Sequence, residues 1–288
     1  MKIIDFLKIK WREALSIEEE KEAFFHGCKR LIHSKHYDRL FRDFRYKGEV
    51  VYYSTEQDIL YLKTKDSIIV STNSYYDVFL EIFVNEIYTL PPQFCENDFV
   101  VFDIGMNRGY VSLFFANKKN CVHVYGFELM DSTFSLALEN FNLNPKLKSK
   151  ISCFNYGLWD EDREISIEID EIDGHTSIKG VHNGITKAIN ERKAIVKKTS
   201  TSLLNFFEEI NPSNLKVLKI DVEGSEYTIF KDLYENNVIQ KFDLIIGEYH
   251  YGIDDLNKYL QDFNCSFLNK TRGERFGQIT YINKKHSI

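Results

Sequence analysis

The stretch VVFDIGMNRGYVSLFFA, Val100–Ala116, decides the fold. An apolar run enters the segment Asp103 to Gly109 and leaves it into a second apolar run. Buried strand, glycine turn and helix in that order open a βαβ unit. Such a turn sets backbone N–H groups at a helix N-terminus, where ligands bind. The turn is not the dinucleotide fingerprint, because Asn107 stands in the place of the second glycine that lets a pyrophosphate approach. Asp103, just before Gly105, would repel a diphosphate and suits a ligand with a positive group, an ammonium or a sulfonium.

Working outward, the same alternation repeats. CVHVYGFEL (121–129) reads as a strand and STFSLALENFNLN (132–144) as a helix. ISCFNYGLWD (151–160) reads as a strand and loop, and LKVLKIDVEG (215–224) as a strand followed by a helix over SEYTIFKDLYEN (225–236). FDLIIGEYH (242–250) is a further strand, with a helix predicted over DDLNKYLQDF (254–263). Near-continuous apolar strands separated by helices imply a parallel sheet covered on both faces. The predicted fold is therefore α/β, a Rossmann-like doubly wound sheet. REISIEI (163–169) and AIVKKT (194–199) interrupt the alternation and read as an inserted hairpin or extra edge strands around a polar loop. CSFLNK and GQITYIN, near the C-terminus, are expected to close the sheet with antiparallel strands.

Upstream, residues 1 to about 46 read as charged helix, with Ser16 and Glu19 spaced as a capping box. EVVYY, DILYLKT and SIIVST form a small predicted meander. In YYDVFLEIFVNEIYTL, Val78, Ile82 and Asn85, and Phe79, Phe83 and Ile87, fall on helical spacings. Pro91 and Pro92 mark a boundary. The expectation is an N-terminal α+β cap over 1–98, able to serve in substrate choice or homo-oligomerisation, and a second domain over 99–288 with an insertion at about 161–198.

In a doubly wound sheet ligands sit beyond the C-terminal strand ends, so the residues there are the candidates. Glu128 ends the second strand and can accept both hydroxyls of a ribose. With Asp103, it fits adenosine joined to an amino acid, which is S-adenosylmethionine. Gly105, Asn107, Gly109 and Tyr110 of the turn, and Leu129 beside Glu128, complete the cofactor set. Asn155 would bond the adenine edge or cap a loop, with Tyr156 or Leu158 against the ring. Asp221 and Glu223 end the fourth strand near the transferable methyl, Asp221 touching cofactor or substrate. Glu226 favours the following helix start through the dipole. Glu248 and His250, two apart, share a face of an extended segment. Asp221, Glu223, Glu248 and His250 are the candidate catalytic groups, one of them a general base. The same four would suit a hard divalent cation, although carboxylates beside a cationic cofactor need none. His175 reads as a surface-loop histidine, and Arg108 points to solvent or to a substrate anion.

The chain has 288 residues, 43% hydrophobic, with a net charge of -6. It is long enough to bury about three-quarters of its unfolded surface, and the acidic balance does not favour nucleic acid. Cys28, Cys95, Cys121, Cys153 and Cys265 are odd in number and lack C-x-x-C spacing, which suits free thiols, buried or inert, in a reducing, cytoplasmic setting. The N-terminus has no signal-peptide core, and no run is long enough to span a bilayer.

Taken in order, FDIGMNRGYVSLFFA, GFELMDSTFSLALENFNLN, YGLWDEDREISIEI, STSLLNFFEEI, LKVLKIDVEGSEYTIFKDL and IIGEYH resemble the FkbM family of S-adenosylmethionine-dependent methyltransferases. KIDVEGSE is the most specific block. The resemblance, over about Phe99 to Cys265, implies a Rossmann-like methyltransferase and mainly O-methylation of small molecules or sugars, in natural products, glycans and surface polysaccharides. Met106 and Arg108 depart from the small and aliphatic residues usual in the turn, and Leu129-Met130-Asp131 replaces a proline-containing segment. The rival readings are a nicotinamide oxidoreductase, opposed by Asn107 and Asp103, and a non-catalytic scaffold, opposed by the intact set Asp103, Gly105, Gly109, Glu128 and Asp221. N-methylation stays open.

Overall fold

A computed structural model describes residues 35–43, 49–169, 176–178, 190–271 and 275–286. The chain divides into two compact units, Met1–Asn85 and Glu86–Ile288. The predicted helix with the Ser16 capping box lies outside the described residues, as do Cys28 and His175.

In the first unit a helical turn, Lys35–Tyr37, runs into a π-helical stretch, Asp38–Asp43. Strands β1 (Glu49–Ser54), β2 (Ile59–Lys63) and β3 (Ile69–Thr72) follow, then helix α1 (Tyr76–Phe83). The strands pair antiparallel in the order β1-β2-β3, the predicted meander. Alternation explains its one-sided burial: Leu60 and Leu62 of β2 are fully buried while their neighbours are not. Helix α1 buries Tyr76, Phe79, Leu80, Ile82 and Phe83 but stops short of the predicted Asn85 and Ile87. The N–H groups of Val84 and Asn85 both turn back onto the carbonyl of Leu80, and Glu86 takes a left-handed φ of 50°.

The second unit contains, in chain order, β4 (Phe99–Ile104), α2 (Tyr110–Ala116), β5 (Cys121–Phe127), α3 (Asp131–Leu143), β6 (Ile151–Phe154), β7 (Gly157–Trp159), β8 (Arg163–Ile169), β9 (Thr176–Ile178), β10 (Asn190–Lys198), α4 (Thr199–Phe207), β11 (Leu215–Ile220), α5 (Glu226–Glu235), β12 (Leu244–Tyr249), α6 (Asp254–Asn257), β13 (Phe263–Thr271) and β14 (Phe276–Asn283). A seven-stranded sheet runs β13-β14-β12-β11-β4-β5-β6. Strands β12, β11, β4, β5 and β6 are parallel, and β14 and β13 close one edge antiparallel, as the tail predicted. Every residue of β4 is buried, which its unbroken apolar run requires. The chain winds from β4 outward through β5 and β6, and then from β11 outward through β12. Its direction reverses between β4 and β11, and that is where such sheets bind ligands.

Three expectations of secondary structure are corrected. Strands β8 and β10 pair antiparallel, as an inserted hairpin would, and are not extra edge strands of the main sheet. With β7 and β9 they form a second sheet, β7-β10-β8-β9. It has a small core of its own, Met130, Trp159, Ile165, Ile167 and Val196, which explains the alternation in REISIEI. The ISCFNYGLWD segment accordingly divides between the two sheets as β6 and β7. The helix predicted over 254–263 reduces to the four residues of α6. Leu256 and Leu260 enter the core there, but Phe263 already belongs to β13, paired with Asn283. Cys95, Cys121, Cys153 and Cys265 are free thiols; Cys121 is buried and Cys153 half-buried, whereas Cys95 and Cys265 are exposed, against the expectation of buried thiols.

Candidate cofactor and acceptor site

The turn after β4 is held from three sides. The N–H groups of Gly105 and Met106 both donate to the carbonyl of Phe127, the last residue of β5. Asp221 N–H, beyond β11, donates to the carbonyl of Ile104 at 3.1 Å. Gly105 has φ 77°, and a Cβ there would lie inside the Asp221 carbonyl, so only glycine lets β4 and β11 approach this closely. Asn107 is exposed with φ 51°, and its side chain accepts the Arg108 N–H at 2.7 Å. Arg108 is half-buried, and its carbonyl accepts from Asn140 Nδ2 at 2.9 Å. Gly109, φ 77°, caps α2, and Tyr110, the first residue of that helix, is buried. Met106 fits because Gly126 beneath it has no side chain: a Cβ on Gly126 would strike the Met106 sulfur.

Glu128 crosses this turn. It is 8% exposed; Oε2 accepts the Asn107 N–H at 2.9 Å and Oε1 accepts the Met130 N–H at 2.8 Å. A carboxylate has about four acceptor sites, so each oxygen retains capacity for a ligand hydroxyl. Burial pushes its pKa up, partly offset by the two N–H donors. Leu129 beside it is half-buried. Asn155 is exposed, and its Nδ2 donates to the Glu128 carbonyl at 3.0 Å, so the amide clamps this loop. Tyr156 is half-buried against Phe127 and Phe154, with Lys197 Nζ 4.2 Å from its ring centroid. Leu158 is buried in the core.

Asp103 is fully buried. Ser112 Oγ donates to its Oδ2 at 2.6 Å, and Lys219 Nζ stands 3.2 Å from Oδ1. Lys219 is its register partner on β11, is itself 1% exposed, and donates to the Gly105 carbonyl at 2.8 Å. Burial works against the Lys219 charge, but the charges of Asp103, Asp221 and Glu248 outweigh it and raise its pKa. The Asp103 carboxylate is thus matched inside the protein by a lysine that the sequence reading missed. The signal was a charged residue inside an apolar strand, LKVLKI.

At the ends of β11 and β12 the structure brings three of the four candidate catalytic groups together. His250 Nε2 lies 3.4 Å from Glu223 Oε2 and 4.0 Å from Asp221 Oδ1. His250 Nδ1 lies 2.9 Å from Glu226 Oε1, which also accepts the Val222 N–H at 3.0 Å. Glu226 is the first residue of α5, as expected, but it is fully buried and holds the histidine, beyond any effect on the dipole. Burial alone would lower the His250 pKa; the hydrogen bond and charge of Glu226, with the charges of Asp221 and Glu223, raise it to about 9. Glu248 is half-buried at the end of β12, its charge acting on Lys219.

Among the described residues no helix is long and apolar enough to cross a membrane. No curated protein matches the chain in sequence. Similar solved structures include a protein of the NADB-Rossmann superfamily from Streptococcus agalactiae, 15% identical over 68% of this chain and 69% of that one, with a TM-score of 0.38. Another is methyltransferase FkbM from Methylobacillus flagellatus, 16% identical over 65% of this chain and 43% of that one, TM-score 0.41. A third is M. capricolum TrmK in complex with S-adenosyl-homocysteine, 15% identical over 66% of each chain, TM-score 0.38. The profile described as Methyltransferase FkbM domain matches residues 103–276, more than half of the chain, from the first acid of the glycine turn to the start of β14. The chain belongs to the FkbM methyltransferase domain family.

Proposed function

We propose that this chain binds S-adenosylmethionine at the β4–β11 switch point and methylates a hydroxyl of a sugar, a glycan precursor or a small natural product. The observation that carries the cofactor reading is Glu128: a buried carboxylate, pinned across the glycine turn by Asn107 and Met130, with acceptor capacity left on both oxygens. It is placed to take the two hydroxyls of a ribose. Asp103, with no exposed surface, serves the cofactor through the turn that it and Lys219 hold. Asp221, half-buried beyond β11, lies toward the positive end of the cofactor, and Glu223, also half-buried, faces the acceptor.

The bound cofactor supplies an electrophilic methyl on a sulfonium. The residues here orient it and the acceptor, and alignment supplies much of the rate of such a displacement. The choice of a hydroxyl acceptor is supported by the carboxylates of Asp221 and Glu223, which can take up a proton within hydrogen-bond reach.

Calorimetric titration tests the cofactor reading. Wild type should bind S-adenosylmethionine, and Glu128→Ala should bind it at least tenfold more weakly while still unfolding cooperatively, with a Tm lowered by the two turn N–H groups left without their acceptor. Equal affinity in the two proteins would remove Glu128 from the site. Fluorescence titration with NADH should show no binding; saturable binding would favour the oxidoreductase reading. Incubation with isotope-labelled S-adenosylmethionine and a panel of nucleotide sugars, oligosaccharides and metabolites should label a hydroxyl-bearing acceptor.

A further inference from the structure

We propose that Asp221, Glu223 and His250 bind a single divalent cation, which presents open coordination positions to the acceptor. The cation site stands on the geometry alone; only its use toward an acceptor rests on the methyltransferase reading.

Each of the three side chains offers one ligand atom, and these atoms all lie within 4.8 Å of one another. The spacing is wider than bonding between the groups themselves would give. A charge-assisted N–H to carboxylate bond is about 2.7–2.9 Å long, whereas His250 Nε2 stands 3.4 Å from Glu223 Oε2 and 4.0 Å from Asp221 Oδ1. In an octahedral site with bonds of about 2.1 Å, neighbouring ligand atoms are separated by about 3.0 Å and opposite ones by about 4.2 Å. Both measured distances fall in that interval. The third separation, between the two carboxylates, is within 4.8 Å.

The second observation lies behind the cluster. A histidine that ligates a metal almost always gives its other ring nitrogen to a carboxylate or carbonyl, which fixes the tautomer and the ring plane. Here Nδ1 lies 2.9 Å from Oε1 of Glu226, a fully buried glutamate not itself among the three ligands. The Val222 N–H fixes that same oxygen at 3.0 Å, and the Phe276 ring meets the imidazole edge-to-face at 5.7 Å. In the neutral ring, with its one proton on Nδ1 toward Glu226, Nε2 would be a ligand atom beside Asp221 and Glu223, a bound cation taking the place of the proton that these carboxylates otherwise hold there. His250 is 8% exposed, while its two partners are half-buried, so the site is closed behind and open in front.

One imidazole and two carboxylates suit Mn²⁺ or Mg²⁺ better than softer metals. Three protein ligands leave about three positions of an octahedron to water or to an acceptor. Two adjacent positions match a vicinal diol, which narrows the acceptor to a polyol or sugar with neighbouring hydroxyls.

The test uses the full chain and Mn²⁺ as the probe, with free Mn²⁺ read by electron paramagnetic resonance. Wild type should bind one Mn²⁺ per chain, with Kd below about 1 mM. Glu223→Gln, a half-buried position unlike the buried His250, should weaken binding at least tenfold while leaving the Tm unchanged. Glu226→Gln should weaken it by about 10–100-fold through the histidine. S-adenosylmethionine binding is measured calorimetrically in the same samples without metal. Cofactor binding with no Mn²⁺ bound at millimolar concentration overturns the cation site and leaves the cofactor reading standing. Mn²⁺ binding that Glu223→Gln does not alter also overturns it. Mn²⁺ binding sensitive to both substitutions, in a protein that binds no S-adenosylmethionine, sustains the site and sinks the cofactor reading.

Discussion

At the scale of single residues, the most consequential pair is Asp103 and Lys219. Two charges removed from water need excellent geometry to break even, and removing one partner strands the other. Lys219 meets Asp103 at 3.2 Å and the Gly105 carbonyl at 2.8 Å, so its loss exposes two groups at once. Lys219→Met should cost about 3–5 kcal/mol in urea unfolding, the usual cost of an orphaned buried charge. The double variant Lys219→Met with Asp103→Asn should recover part of that loss. A single variant as stable as wild type would show that the pair adds no net stability. The local pattern of the chain names Asp103 as an acid before a glycine but says nothing about its partner, which arrives from a strand more than a hundred residues away.

At the scale of elements, α4 and α5 pack on one face of the sheet through a continuous aromatic and aliphatic layer. Phe102 stacks on Tyr125 at 5.3 Å, Phe206 of α4 lies 4.6 Å from Tyr125, and Phe230 of α5 is fully buried. Phe230→Ala should cost about 3–5 kcal/mol, since deleting a buried ring removes its transfer energy and leaves a cavity. Denaturant titration reads it directly, and a loss below about 1 kcal/mol would mean that the layer collapses into the space. Two of the elements that the sequence misjudged share one cause. α6 is short because Phe263 is taken by strand pairing, and β8 and β10 left the main sheet because Met130, Trp159 and Val196 gave them another core. Tertiary pairing overrode local periodicity in both places.

At the scale of the whole molecule, long-range ion pairs tie the segment after β14 to the start of β12. Asp243, just before β12, is 4% exposed and meets Lys285 Nζ and His286 Nε2 at 2.7 Å each, while accepting the Lys216 N–H at 2.7 Å. Burial would raise its pKa, but these partners, Lys285 first, hold it below the ordinary carboxylate value. A depressed folded pKa stabilises above the unfolded value of about 3.9 and loses that contribution as the pH falls through the folded value. Asp243→Asn should therefore lower the Tm at pH 7, and the gap from wild type should shrink between about pH 4 and pH 2. A gap independent of pH would assign the effect to packing alone. Over the same span, the sequence by itself determined the parallel sheet, the antiparallel closing strands, the glycine turn and Glu128 at the next strand end, because apolar runs and turn glycines are local signals. It also placed Asp221, Glu223 and His250 at strand ends. Only the tertiary structure decided that Lys219 neutralises Asp103, that buried Glu226 orients His250, and that the inserted strands build a sheet of their own. Those outcomes depend on strand register and on which charges lose water together, and no local pattern in the chain contains either.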